Sequence, residues 1–390
     1  MRVRRVVVSV AVIAVVALSA ACSGGSSPEP AEADTSTNSG TASTGTLIAG
    51  SVASLTGSAA PYGLSQSQGT ELAVEVEAAG TSTPITLTTL DDDSSPEGGT
   101  AAFNTVIEQG VAAILGPTLS PVAAQTDPLA QAVGVPVLAV TNTTLDIASI
   151  GDAVWRVTLS EQVMIPQAVA AASDLRGVES AVLLSDGTDQ YSIGAAAAFR
   201  TGASDAGVDL VDDIVFDPAE LDSAGYQALV TRALQSNPDG LFLAARSTPA
   251  SNLLVAANTA APTLPVVGGN GFNAADVLGP AGSAADGLIV AASWNPDIDV
   301  PASKLFVRRF QERFARPADA FAAQGYAGIQ ILVAAAQAGG GTSRQAISAG
   351  LGRMGTIETV LGSLSFVNNE AVYPASIQEY RDGRFELLRR

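Results

Sequence analysis

Small hydroxyl and amide side chains gather where two apolar runs end, at Leu119-Ser120-Pro121 and at Thr141-Asn142-Thr143-Thr144. Ser followed by Pro before an alanine-rich stretch is a helix start, with Ser120 in the N-cap place. Two readings of Ser120 are open. Its hydroxyl can serve only its own helix, or it can join the free N–H groups of the first turn in holding an anion. The threonine cluster is likewise either an ordinary polar turn or a second set of donors. Two such clusters at neighbouring strand exits suit an anion of carboxylate size. No glycine-rich phosphate loop follows either run, so a nucleotide is not expected. Tyr62, in Ser58–Gly63, and Tyr191, after Ser185–Gln190, are either walls of a small-ligand pocket or surface cover.

Composition removes several other chemistries. The 390 residues contain no histidine. Ser-His-Asp and Cys-His catalysis, histidine bases and histidine metal ligands are therefore out. A nucleophile elbow of the G-x-S-x-G type is also missing, so no enzyme is expected. Neither a metal nor a cofactor is expected. The net charge of −19 and the lack of a basic patch argue against nucleic acid. A single cysteine, Cys22, excludes an intramolecular disulfide.

The chain begins with Arg2, Arg4 and Arg5, an apolar stretch from Val6 to Leu18, and small residues up to Cys22. This reads as a secretory signal peptide over 1–21. Leu18-Ser19-Ala20-Ala21-Cys22 resembles a bacterial lipobox, in which the cysteine is lipidated and becomes the new N-terminus. It departs from the pattern in having Ser19, not leucine, three residues before the cysteine. Loss of the three arginines would take the net charge from −19 to −22. Residues 22–45 are small and polar, a tether without enough apolar surface to order itself.

The elements that must hold the donor clusters begin at Thr46. Apolar runs near 47–55, 84–93, 111–116 and 135–140 alternate with helical stretches over 66–80, 96–110 and 121–133. That βαβαβαβ alternation predicts a parallel sheet covered by helices. It restarts after Asp152, with strands at 181–186, 208–216, 239–245 and 264–269. Residues 301–352 read as largely helical, and short strands and turns close the chain. Ligands in open α/β sheets bind outside the carboxyl ends of strands. The windows to read are therefore 55–63, 116–121, 141–144, 186–191, 246–249 and 268–272.

Those windows carry a resemblance. GSVASLTGSAAPYG, LDDDSSPEGGTAAFNTVIEQGVAAILGPTLS, GVPVLAVTNTT, LLSDGTDQYSIG, VVGGNGF, ADGLIVA and TVLGSLSFVNN, in this order and spacing, resemble the type I periplasmic solute-binding proteins of the branched-chain amino acid (Leu/Ile/Val) group. The resemblance spans 46–390. It implies a two-lobed α/β fold, each lobe a parallel sheet flanked by helices, with three hinge crossings near Val157–Leu159, Ala291–Ser293 and Phe366. Lobe one would be 46–158 and 292–365, and lobe two 159–291 and 366–390.

It also implies that Ser120, Thr141 and Thr143 hold a ligand carboxylate and part of its amino group. Tyr62 and Tyr191 would wall the ligand, and Phe321 would add a contact. Asn270 stands where amino-acid binders of this kind place an acid, and Arg246 where the family can carry an aromatic residue. Asp186 or Asp189 could supply the missing charge. Arg246 either reads an acidic ligand, points to solvent or pairs with a local acid. The implied function is capture of a small carboxylate-bearing ligand, an amino acid or related organic acid or amide. Delivery would be to the permease and ATPase of an ABC importer, by a monomer anchored outside the cell membrane through lipid on Cys22. The alternative is a sensor lipoprotein that signals to a membrane receptor.

Overall fold

In the computed structural model, residues 45–80 and 83–390 are described. The expected leader and Cys22 lie outside them. The chain runs β1 (Leu47–Ala53), α1 (Ala60–Gly80), β2 (Ile85–Asp91), α2 (Pro96–Glu108), β3 (Ala113–Leu115), α3 (Ser120–Ala132), β4 (Val137–Ala139) and β5 (Val154–Arg156). It continues through α4 (Glu161–Arg176), β6 (Ser180–Asp186), α5 (Gln190–Ala206), β7 (Asp209–Phe216), α6 (Ser223–Ala233), β8 (Gly240–Ala244), α7 (Ser247–Ala260), β9 (Val266–Gly268), α8 (Ala275–Leu278) and β10 (Leu288–Ala292). It ends with α9 (Pro301–Phe314), α10 (Ala320–Gly339), α11 (Arg344–Arg353), β11 (Ile357–Thr359), β12 (Gly362–Val367), β13 (Glu370–Val372), β14 (Ser376–Arg381) and β15 (Arg384–Arg389).

The strands form two sheets, ordered β11-β12-β13-β5-β4-β3-β1-β2 and β15-β14-β10-β9-β8-β6-β7. Strands β1 to β5 and β6 to β10 pair in parallel, the inner ones as apolar runs buried on both faces and β2 and β7 as partly exposed outer strands. The sheets are not wholly parallel as expected. The last strands add antiparallel partners, β11 and β13 on either side of β12, and β15 beside β14, which itself pairs with β10.

The chain passes from one sheet to the other over 157–160, 293–300 and 373–375. Phe366, expected at the third passage, instead lies within β12 and opposite Ala371 of β13. The reason is the turn at Asn368-Asn369. Both residues are left-handed, at φ 51° and 63°. Two such residues in succession close a tight hairpin, and asparagine tolerates that region well. The chain therefore folds back and pairs β13 with β5 before it leaves the first sheet.

Hydrogen bonds tie the passages together. Thr158 Oγ1 lies 2.9 Å from Ser293 Oγ, and Tyr373 donates its hydroxyl to the Val157 carbonyl at 3.0 Å. Beside them Trp294, Phe306 and Tyr326 pack edge to face in the core. Each ring that size contributes roughly 2–3 kcal/mol by leaving water.

Two helices packed beside the first sheet, α1 and α10, cross closely. A Cβ at Gly69 would sit 1.9 Å from the Ala322 carbonyl oxygen, and one at Gly325 would sit 2.2 Å from that of Gln66. Only glycine permits this approach. The crossing sets Tyr62 and Phe321 side by side.

Candidate functional site

The exit of β3 turns at Gly116, whose φ is 108° and whose absent Cβ would lie 2.0 Å from the Val52 carbonyl oxygen. The turn delivers Thr118, Leu119 and Ser120 to the carboxyl end of the sheet. Ser120 was expected to cap α3. In the structure Leu119 holds the cap position, Ser120 is the first helical residue, and no side chain caps the helix. The alternative in which Ser120 serves only as a cap is thereby removed.

Gln66, from α1, organises both polar loops. Its Oε1 accepts from Thr118 Oγ1 at 2.9 Å and from Thr141 Oγ1 at 3.3 Å. Thr141 also reaches the Thr118 carbonyl at 2.9 Å. From the far side, the buried Arg156 binds the carbonyls of Thr144 and Leu145 and makes a two-pronged pair with Glu370, both contacts at 2.6 Å. The 141–145 loop is thus held from both ends.

Tyr62 falls before the helical stretch read at 66–80. It lies instead in the first turn of α1, because that helix starts at Ala60. Its ring packs on Phe321 at 5.0 Å. Its hydroxyl donates to the Gly271 carbonyl and accepts from the Ser247 N–H, each at 2.8 Å. Tyr191, in the first turn of α5, accepts from the Gly271 N–H at 2.7 Å. The two tyrosines, one from each half of the molecule, therefore meet on one peptide segment.

Ser120, Thr141, Thr143, Tyr62, Tyr191, Asn270, Arg246 and Phe321 all line a single cleft, with about 330 Å³ of space not filled by protein atoms. Sequence reasoning missed Thr118, Leu119 and Gly271, which line it too.

The acids fall differently from expectation. Asp186 accepts from the Thr188 N–H and hydroxyl. Asp189 caps α5 through Ser192 and pairs with Arg246, at 2.8 Å from Nη2 and 3.1 Å from Nε. Neither lines the cleft, and Arg246 has a local acid. The Asn270 side chain bonds to Asn273 at 3.0 Å. Its N–H donates to a carboxylate missing from the sequence-derived site, that of Glu161, at 3.1 Å.

Glu161 opens α4, directly after the first passage between the sheets. It is fully buried. Its Oε1 also faces the Thr143 hydroxyl at 3.5 Å, and Tyr191 lies beside it. Its Oε2 has no hydrogen-bond partner among the described residues. Burial pushes its carboxyl up to about 7, against the pull of Tyr191, Asn270, Thr143 and Arg156. A buried carboxylate with a free oxygen is costly unless something cationic pairs with it. In sequence it looks like any acid in the first turn of a helix, which is why it escaped notice.

The family described as periplasmic binding protein matches the chain over residues 47–384. This chain belongs to the periplasmic binding protein family. Family members are binding proteins that work outside the cytoplasm, not enzymes. The Leu/Ile/Val-binding protein BraC3 of Rhizobium johnstonii is similar to it, 25% identical over 329 residues, with 82% of this chain and 87% of the relative covered. Among solved structures, the branched-chain amino acid transporter substrate-binding protein LivJ from Streptococcus pneumoniae, in complex with isoleucine, superposes with a TM-score of 0.81 at 23% identity, covering 87% of this chain and 98% of that one. A solute-binding protein of an ABC transporter from R. palustris, in complex with benzoate, superposes with a TM-score of 0.76 at 21% identity, covering 88% and 95%. These superpositions give this periplasmic binding protein the two-lobed type I fold. No helix among the described residues is long and apolar enough to cross a membrane.

Proposed function

We propose that this periplasmic binding protein captures an α-amino acid between its lobes and delivers it to an ABC importer. The ligand carboxylate lies at Ser120, the uncapped start of α3 and the Thr141–Thr143 loop. Its ammonium lies between Thr143 and Glu161. Tyr62, Tyr191 and Phe321 cover the rest. The observation that carries this reading is Glu161, a buried carboxylate with one unpartnered oxygen that shares contacts with three cleft-lining residues. A free carboxylate oxygen is the natural acceptor for an ammonium. BraC3, named for binding Leu, Ile and Val, supports the amino-acid class.

The protein works as a monomer on the outer face of the membrane, held by lipid on Cys22 and its polar tether. Palmitate labelling of cells should tag the protein and should vanish in Cys22→Ala. For the site, calorimetry compares an amino acid with its deaminated acid on the purified protein. Glu161→Gln should weaken the amino acid about a hundredfold, as expected for a lost buried charge pair, and leave the deaminated acid nearly unchanged. Equal binding of both ligands by the unaltered protein would sink the amino-acid reading in favour of an organic acid, the class seen in the R. palustris relative.

A further inference from the structure

The strand exits of the second sheet divide the cleft into two chemically different ends. Asn270, whose N–H reaches Glu161, follows β9. Arg246 follows the next strand, β8; beyond it Asp186 ends β6 and Asp189 follows. Adjacent strands lie about 4.8 Å apart. Arg246 thus follows the strand next to the one that Asn270 follows, and a ligand side chain of a few atoms spans one such spacing.

The guanidinium is only partly used. Nε and Nη2 both bind the same oxygen, Asp189 Oδ1. Nη1 makes no hydrogen bond among the described residues, and the side chain lines the cleft at 19% exposure. A donor in this position leaves a purely aliphatic ligand with an unmatched polar neighbour, which is unfavourable in a closed cleft. Its charge, however, is already met. Asp189 pairs with it directly, Asp186 lies close enough to act on it, and Glu161 is a third acid beside the cleft. A ligand bringing a further carboxylate would add to an excess of negative charge.

We propose that this end of the cleft selects an amino acid whose short side chain ends in a neutral hydrogen-bonding group, a carboxamide above all, with Arg246 donating to its oxygen. This rests on the amino-acid reading above.

Titration calorimetry of the purified protein with L-glutamine, L-leucine and L-glutamate tests it. Glutamine is expected to bind at least tenfold more tightly than either of the others. Arg246→Leu should weaken glutamine at least tenfold and leave leucine unchanged or tighter. The wild-type comparison stands even if that variant fails to fold, and Arg246→Lys, which keeps the charge but loses the planar fork, should weaken glutamine in the same direction. Leucine binding as tightly as glutamine, or an equal loss of both in the variants, overturns the proposal. Tighter binding of glutamate overturns its neutral-group part. Binding of none of the three, while a deaminated acid binds, overturns the amino-acid reading and this proposal with it.

Discussion

Glu161 combines full burial, a free carboxylate oxygen and a carboxyl pushed up to about 7 by that burial. Its folded value lies above its ordinary one of 4.5, so the folded protein holds the proton more tightly than the unfolded chain does. The sign of the linkage follows. The destabilisation is absent below about pH 4.5 and complete above about pH 7. Without ligand, stability should fall as pH rises through that window, and Glu161→Gln should flatten the profile and raise the melting temperature at pH 8. If the profiles of variant and parent are parallel, Glu161 does not titrate there. With ligand the sign reverses. An ammonium favours the ionised carboxylate, so affinity should fall about tenfold for each pH unit below 7 and level off above it. Calorimetry in buffers of different ionisation enthalpy should detect release of the proton. Ser120→Ala is expected to cost roughly 1–3 kcal/mol of binding, the scale of a hydrogen bond to a charged group. Unchanged affinity would remove Ser120 from the carboxylate end.

The elements hold these residues by two devices that can be broken separately. Arg156 of β5 spans from Glu370 of β13 to the carbonyls of the 141–145 loop. Arg156→Ala strips a buried carbonyl pair and a carboxylate of their donor. It should lower stability by roughly 1–3 kcal/mol, the scale of leaving buried carbonyls without a donor, read from urea unfolding, and no change would show that the pair is dispensable. Tyr62 is the second device, a helix-borne hydroxyl that reaches Gly271 and Ser247 across the cleft. Tyr62→Phe keeps the ring on Phe321 and loses only those bonds. Its melting temperature without ligand should change little, whereas ligand affinity should drop about tenfold as closure weakens. Both readouts falling together would mean that Tyr62 is a core residue first.

For the whole molecule, the two halves touch at Tyr62, at Ser247 with the Ser58 carbonyl, and at the Arg316–Asp276 pair. These contacts close a cleft between bodies joined by three short passages. Bodies joined in this way are expected to close on ligand by a hinge. Small-angle scattering should show the particle contract when ligand is added. A thermal scan with ligand at one hundred times its dissociation constant should show about 2.7 kcal/mol of added stability. A particle that binds ligand with no change in scattering is closed already, and its hinge plays no part in capture.

The amino-acid sequence by itself determined much of this protein. Apolar runs alternating with alanine-rich helices dictate two layered α/β halves, because such runs can be buried only between helices. Ser120, Thr141, Thr143, Tyr62, Tyr191, Asn270 and Arg246, which line the cleft, stand in windows after strands that local pattern marks, whereas Phe321 came only from the family resemblance. What the tertiary structure decided is whatever depends on residues distant in sequence. The Asn368-Asn369 hairpin returned β13 to the first sheet, since only a partner strand such as β5 makes that pairing worthwhile. The Asp189–Arg246 pair joins residues 57 apart, and the Glu161–Asn270 bond joins residues 109 apart. Burial of a charge is a property of the surrounding packing, which no local stretch of sequence contains. Glu161 therefore reads as an ordinary helix-start acid until the fold closes over it.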